Sequence, residues 1–434
     1  MAKRRASPET RSPAGRPPDG PAAWLLLFTA FFGAALWVYG PALRGPFLSD
    51  DFHYVAENPF VHELTLENVA VLFDPTGTVA IDIVNYSPVQ LTVHALVWQV
   101  SGSDTFGHHL VNVALHALAS LLLLALFLQA GLPRLAALGG GIFFLLHPAN
   151  VEAVAWISQL KTTLSLVLGL AALLAWRRRP GLATALFAAA LLSKPTAAVV
   201  LPAALLLDWT RGEGVRWRWL AVQAALFAVF TAVELGTHQR TGAAEAQLHA
   251  TPFVLVRTIA GIGARYLGMA ATSWGVSAFH DPEPARSLLD PWWLVSLPAA
   301  LLLVWRIAVV ARRRDVELVW WVWAAVSFGP VSQIFPFLYP MGDRYLYFIL
   351  PGLIGGVLGA GVEACARIPD PRRPLALRVL AVCATLLLVA FAARSHTRAS
   401  IWRSNAFLVA DAAAHYPDGI AANLLAAKRA ALAN

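Results

Sequence analysis

Charge is what this sequence has least of. Only 13% of its 434 residues are Asp, Glu, Lys or Arg, against 58% hydrophobic. A soluble fold of that length needs more polar surface to cover it, so the composition excludes one and predicts an all-α polytopic membrane protein. Cysteine is nearly absent as well. Cys365 and Cys383 fall in or beside apolar runs with no ligand spacing, which argues against a disulfide framework and a cysteine metal site. Internal repeats are missing from the body of the chain. The formal charge of +8 is not a nucleic-acid footprint, because the arginines sit in short clusters between apolar runs, and that pattern is one of membrane topology.

Long apolar runs are what the chain does have. They predict roughly eleven transmembrane helices, at about 22–40, 108–130, 134–147, 160–176, 181–194, 196–209, 217–236, 291–310, 317–335, 345–364 and 376–393. The first is preceded by a basic, Pro- and Ser-rich stretch, 1–20, which predicts a disordered cytoplasmic tail ahead of an uncleaved anchor. Counting spans from that tail puts Arg134, Arg177 to Arg179, Arg211, Arg216, Arg218, Arg312 to Arg314, Arg367, Arg372 and Arg373 on the tail's side, as the positive-inside rule requires.

The other side carries nearly all the unusual sequence. A large first outer loop, about 41–107, holds Ser49-Asp50-Asp51-Phe52-His53-Tyr54 just beyond the helix-breaking Gly40-Pro41, and then Asn85-Tyr86-Ser87-Pro88. The apolar positions from Leu91 to Val100 predict a helix lying in the interface. Next come His147-Pro148-Ala149-Asn150-Val151-Glu152, Lys161 and the turn Ser193-Lys194-Pro195. An outer region, about 237–290, contains Arg257 and Arg265 on one face of an otherwise apolar segment, 254–270, which favours a helix on the surface over a span. It ends in His280-Asp281-Pro282-Glu283-Pro284, whose two prolines interrupt any metal-ligand spacing; Gly342-Asp343-Arg344-Tyr345 opens the next-to-last span. After residue 393 the chain is polar and placed outside. There, Trp402, Phe407, Leu408, Ala412 and Tyr416-Pro417 predict a single helix pair of the tetratricopeptide kind, 394–434, which needs a surface to dock on.

Ionised groups gathered beside lipid usually mark function. A carboxylate of the Asp50–Asp51 pair facing Arg344, Lys194 and Lys161 suits transfer of a sugar from a lipid phosphate to a hydroxyl. The carboxylate takes the acceptor's proton and steadies an oxocarbenium-like transition state, while the cations receive the phosphate. One base without a second nucleophile gives inversion. Lys161 and Lys194 equally suit snorkelling to the interface. His147 and Glu152 suit helix-end bonding or substrate contact, His109 and Asn112 share a helix face near the outer end of the second span, and Tyr86, His280, Asp343 and Tyr345 are further substrate-contact candidates. The runner-up classes are a lipid or sugar transporter or flippase, for which midplane charges and repeats are lacking, and a non-catalytic scaffold on a transferase fold.

Five motifs in order resemble the transmembrane-and-tetratricopeptide-repeat O-mannosyltransferases and their bacterial relatives of the GT-C fold. They are Asp50-Asp51-Phe52-His53; Gly107-His108-His109-Leu110-Val111-Asn112 through His116; Leu146-His147-Pro148 with Val151-Glu152 through Ser158; Leu192-Ser193-Lys194-Pro195; and Asp343-Arg344-Tyr345-Leu346-Tyr347. The resemblance implies a membrane glycosyltransferase of the GT-C type, using a polyprenyl-phosphate sugar such as mannose or another hexose. It implies Asp50 as base with Asp51 beside it, Arg344 at the donor phosphate and no essential metal or other cofactor. Three departures stand out. Tyr86-Ser87-Pro88 lacks the arginine common in that motif, Lys161-Thr162 replaces Lys-Asp, and the long repeat array is almost absent. A lipid or polysaccharide acceptor therefore stands beside a protein one, and a bacterial plasma membrane with the site on its outer, periplasmic face is the expected location.

Overall fold

The computed structural model describes residues 20–212, 214–240, 251–334 and 339–433. The predicted tail, apart from Gly20, lies outside the described residues. Among the described residues every regular element is helical, and the one β-bridge is an isolated pairing of His280 with Met341. Uncharged Leu, Ala, Val and Phe runs leave the backbone no partner but itself in hydrocarbon, and a helix satisfies it completely.

Among the described residues eight helices are long and apolar enough to cross a membrane, and nine if the bent pair Arg134–Leu146 and Pro148–Ala155 counts as one span. The 49° bend falls at His147-Pro148, where proline cannot continue the helical ladder. Three expected spans are instead 12-residue helices, Pro180–Leu191, Val200–Arg211 and Glu317–Phe328. At ~1.5 Å per residue each reaches about 18 Å, short of a ~30 Å hydrocarbon core. Thr105–Gln129 is the central helix, packed against Pro21–Tyr39, Arg134–Leu146 and Leu160–Ala175, with Val113, Ala117, Leu123, Leu124 and Phe127 buried along it.

Pro252–Thr272 is among the helices long and apolar enough to cross. It packs along Pro291–Arg313, and its polar side chains meet the segment before that helix and the ends of its neighbours. Arg257 donates to the carbonyls of Ala285 and Arg286 at 3.0 and 2.9 Å, Arg265 lies 4.7 Å from the Trp292 ring, and Tyr266 meets Phe328 and Gly342. Trp292 lies at the start of Pro291–Arg313, Phe328 at the end of Glu317–Phe328 and Gly342 just before Asp343–Ala366, while Ala285 and Arg286 precede Pro291. Length and composition thus admit a span where the sequence favoured a helix on the surface.

Polar contacts collect at two ends of the bundle. At one, Arg211 donates to the Gln129 carbonyl, Arg216 pairs with Asp208, Arg306 bridges Glu317 and Glu363, and Arg314 lies over Trp209. At the other stand the first loop, the turns after residues 147 and 192, the start of Asp343–Ala366 and the C-terminal helices Asn405–His415 and Ile420–Ala433. A helix is present over the predicted segment as Pro88–Ser101, with Leu91, His94 and Ala95 buried and Leu96 and Val100 exposed.

Candidate active site

The first loop reaches its critical turn with Ser49 at φ +48°, a backbone conformation that a residue bearing Cβ rarely holds. Asp51 is what holds it. Its Oδ2 accepts the Leu48 amide at 2.9 Å and its Oδ1 the Ser158 amide at 2.7 Å, so one carboxylate, 1% exposed, ties the first loop to the turn Ile157–Gln159. Burial pushes this carboxyl up to about 7; the two amides oppose the shift, and the neighbouring Asp50 adds to it. A single π-type turn follows, closed by the Glu57 amide on the Phe52 carbonyl at 2.8 Å.

Asp50 is left turned the other way. It is half-buried, accepts a 3.2 Å bond from the Ser49 hydroxyl, and stands close enough to the Arg344 guanidinium to interact with its charge. The structure thus separates two acids that are adjacent in sequence.

Arg344 opens the Asp343–Ala366 helix, and Glu152, 2% exposed, grips it twice. One Glu152 oxygen accepts the Arg344 backbone amide at 2.7 Å and the other takes the guanidinium. The guanidinium sits among three aromatic rings, with centroids at 4.8 Å for Tyr345, 5.5 Å for Trp156 and 5.9 Å for Tyr339. Lys194 is half-buried and donates to the Thr162 hydroxyl at 2.6 Å. Burial pushes its ammonium well below the ordinary lysine range, Lys161 and Arg344 push it further, and Glu152 partly restores it. Lys161 donates to the Tyr54 hydroxyl at 2.9 Å, and Asn85 donates to the same oxygen at 3.1 Å. Arg344, Lys194 and Lys161 therefore share one electrostatic neighbourhood, with Asp50 beside Arg344 and Glu152 acting on both Arg344 and Lys194.

The remaining candidates fall around this group rather than in it. His147 is fully buried with both ring nitrogens engaged. Nδ1 accepts the Ala149 amide at 3.2 Å, which leaves Nε2 to donate to the Ala270 carbonyl at 3.1 Å. Asn112 donates to the Trp156 and Ile157 carbonyls at 2.9 and 3.3 Å, and His109 meets the Gly45 carbonyl at 3.2 Å, so both brace the loops that carry Asp51 and Glu152. Tyr86 donates its hydroxyl to the Phe73 carbonyl at 2.8 Å while its amide donates to Glu234 at 2.9 Å. His280 and Asp343 bond each other at 2.7 Å. Among the described residues no three His, Cys, Asp or Glu side chains are placed to hold a metal ion.

Tyr54, Asn85, Thr162 and the Ser158 amide complete the neighbourhood without having been singled out as site residues. Each lies within or beside a motif the sequence displays, but nothing in the sequence set it apart from its neighbours there.

No protein-family profile matches the chain. Over 181 residues, 40% of its length, it is 33% identical to the protein O-mannosyl-transferase TMTC1 of Mus musculus. Over the same length it is 30% identical to TMTC1 of Homo sapiens. The chain resembles these O-mannosyltransferases in part only, since the match covers 18% and 19% of their lengths. Among solved structures, the Archaeoglobus fulgidus oligosaccharyltransferase, tethered to an acceptor peptide containing the NVT sequon, aligns with 87% of this chain and 55% of its own, at TM-score 0.47 and 12% identity. ArnT from Cupriavidus metallidurans, bound to undecaprenyl phosphate, aligns with 90% of this chain and 77% of its own, at TM-score 0.38 and 14% identity.

Proposed function

We propose that this protein is a GT-C-type membrane glycosyltransferase that moves a hexose from a polyprenyl phosphate to a hydroxyl acceptor, with Asp50 as the base. The separation of the two acids carries this reading. Asp51 spends both oxygens on backbone amides, so Asp50 is the carboxylate free to face a substrate. The acceptor hydroxyl gives its proton to Asp50 as its oxygen attacks the anomeric carbon; the bond from that carbon to the phosphate oxygen breaks, and the phosphate leaves as an anion. Arg344, Lys194 and Lys161 receive it. A lysine whose ammonium is poorly hydrated gains most when an anion arrives, which suits Lys194 to the charge that develops on the leaving group. Attack from the face opposite the phosphate inverts the anomeric centre. The partial likeness to TMTC1 supports mannose as the first sugar to test. Acceptors to test are a protein, a lipid and a polysaccharide.

The test is transfer of radiolabelled sugar from polyprenyl-phosphate-mannose or polyprenyl-phosphate-glucose by the purified protein. Label is expected to move to a hydroxyl acceptor, and Asp50→Asn to slow it by about 10²–10⁴-fold, the usual reach of a general base. Transfer is expected to persist in EDTA, because the proposed step draws its positive charge from protein cations. A folded protein inert with both donors, or an Asp50→Asn variant as fast as wild type, would overturn the reading.

A further inference from the structure

The C-terminal helices do more than cover the bundle. Trp402, in the turn that precedes them, stacks on Trp156 with centroids 5.7 Å apart, and Trp156 is the indole beside Arg344. The same Trp156 donates through Nε1 to the Leu48 carbonyl at 3.2 Å, two residues before Asp50. Arg403 donates to the Pro41 carbonyl at 3.0 Å, and a Cβ at Gly45 would lie 2.6 Å from the Trp402 carbonyl oxygen. The tail is thus seated against the base-bearing loop.

A second set of contacts reaches the phosphate side. Asp411, bridged to Arg398 at 2.6 Å, accepts the Ala278 amide at 2.9 Å, and Asp281 accepts the Ile420 amide at 2.9 Å, which fixes the 278–281 segment against the tail. Between those two points Tyr416 meets His280 Nδ1 at 3.0 Å, and His280 Nε2 meets Asp343 Oδ1 at 2.7 Å. A carboxylate can only accept, so Nε2 carries the proton; on a neutral ring Nδ1 then accepts and the Tyr416 hydroxyl donates. His280 and Asp343 are each 2% exposed, so little water competes. Tyr266 bonds both the amide and the carbonyl of Gly342, at 3.1 and 3.2 Å, and the His280–Met341 bridge sits one residue earlier. Asp343 is therefore held on several sides, and the next residue is Arg344.

We propose that Tyr416 and His280 are positioning residues for Arg344: the C-terminal helix pair, through Tyr416, orients His280, which orients Asp343 and so sets where the neighbouring guanidinium meets the donor phosphate. This rests on the transferase reading above. It goes beyond it by making the tail part of the donor site and by giving His280 and Asp343 a role other than substrate contact. Glu152 supplies the counter-charge to Arg344, and the Tyr416–His280–Asp343 chain supplies its register.

The full-length protein in nanodiscs is the material to use. Two quantities are read: binding of a water-dispersible polyprenyl phosphate carrying no sugar, and transfer kinetics resolved into donor KM and kcat. Tyr416→Phe removes one hydroxyl and keeps the ring that packs edge-on to His280. It is expected to weaken polyprenyl-phosphate binding and raise donor KM by about three- to tenfold, the reach of one hydrogen bond, with kcat near wild type. His280→Ala is expected to cost about tenfold or more in the same two quantities, and acceptor KM is expected to hold in both variants. A contact that merely stabilises the fold would lower the active fraction, hence kcat, and leave donor KM alone; that pattern overturns the proposal. So does wild-type donor binding by both variants when Arg344→Ala has lost it. If Arg344→Ala itself binds like wild type, the phosphate assignment fails and takes this inference with it, a result distinguishable from the previous one.

Discussion

At the residue scale the decisive fact is that Asp50 and Asp51, neighbours in the chain, hold opposite environments. Asp51 gives a prediction of its own. Its folded-state carboxyl is raised to about 7 from an ordinary 3.8, so between those values the folded protein keeps a proton that the unfolded chain has released. Stability from this group is therefore greatest in acid, falls as pH rises from about 4 to 7, and is flat above. The apparent unfolding temperature of the wild type should fall across that window relative to Asp51→Asn; parallel pH profiles would show that the carboxyl is not raised. Glu152 gives another. Its partner Arg344 is only 13% exposed, so Glu152→Gln leaves a buried cation without its counter-charge, at a cost of about 3–5 kcal/mol. A lower unfolding temperature together with a changed donor KM is expected, and an unfolding temperature equal to wild type would sink the claim. The pairing of Glu152 with Arg344 could not be read from the sequence, since 192 positions separate them. The importance of each could, because an acid and an arginine beside apolar runs stand out on composition alone. Nor does sequence distinguish a free carboxylate from one spent on amides, because that depends on where the Ser158 backbone points.

At the scale of elements, what was legible was whatever depends on local pattern. Apolar runs located the long helices and Pro88–Ser101, but not the short first-loop helices Pro59–His62, Leu66–Phe73 and Thr78–Asp82. What was not legible was depth. Val200–Arg211 and Glu317–Phe328 carry enough apolar residues to suggest spans and too few to make them, because neighbouring helices rather than lipid bury them. Glu317–Phe328 illustrates how. Gly352, Gly355, Gly356 and Gly359 of the Asp343–Ala366 helix face it, and a Cβ at Gly352 would lie 2.5 Å from the Ala324 nitrogen and 2.6 Å from the Trp320 carbonyl oxygen. Both are backbone atoms that cannot swing aside, so close approach depends on the missing side chain. Gly352→Val is expected to lower the unfolding temperature and the yield of folded protein; wild-type stability would mean that the two helices part without cost. Pro252–Thr272 poses the converse problem, being long and apolar enough to span although its two arginines favoured the surface. Val256→Cys and Leu267→Cys, both at exposed positions, place a fluorophore near each end of it. Eleven residues of helix rise about 16 Å. Depth-dependent quenching by spin-labelled lipids should put both labels at similar depth if the helix lies in the interface, and about 16 Å apart if it crosses.

For the whole molecule, the two polar ends are the organising feature, and the chemistry proposed here requires that they face different compartments. One end gathers Arg211, Arg216, Arg306, Arg313, Arg314 and Arg367, several paired with Asp208, Glu317 or Glu363. The other holds Asp50, Lys161, Lys194 and Arg344, with the C-terminal helices seated beside them. That tail was legible as a helix pair in need of a surface. The surface itself was not, because Trp402, Asp411 and Tyr416 find it on segments 120 or more positions away. By the positive-inside rule the arginine end is expected in the cytoplasm, and the proposed site end on the far face of the membrane. Labelling tests this directly. After both native cysteines are replaced, Arg44→Cys at the site end should react in intact cells with a membrane-impermeant maleimide, and Arg178→Cys at the arginine end should react only after the membrane is opened. The reverse pattern would invert the topology and leave the proposed donor site facing the cytoplasm. Equal labelling of both positions in sealed cells would mean that the two ends do not lie on opposite sides, and a lipid phosphate could then no longer be presented to Arg344 from one face while the arginine end stays on the other.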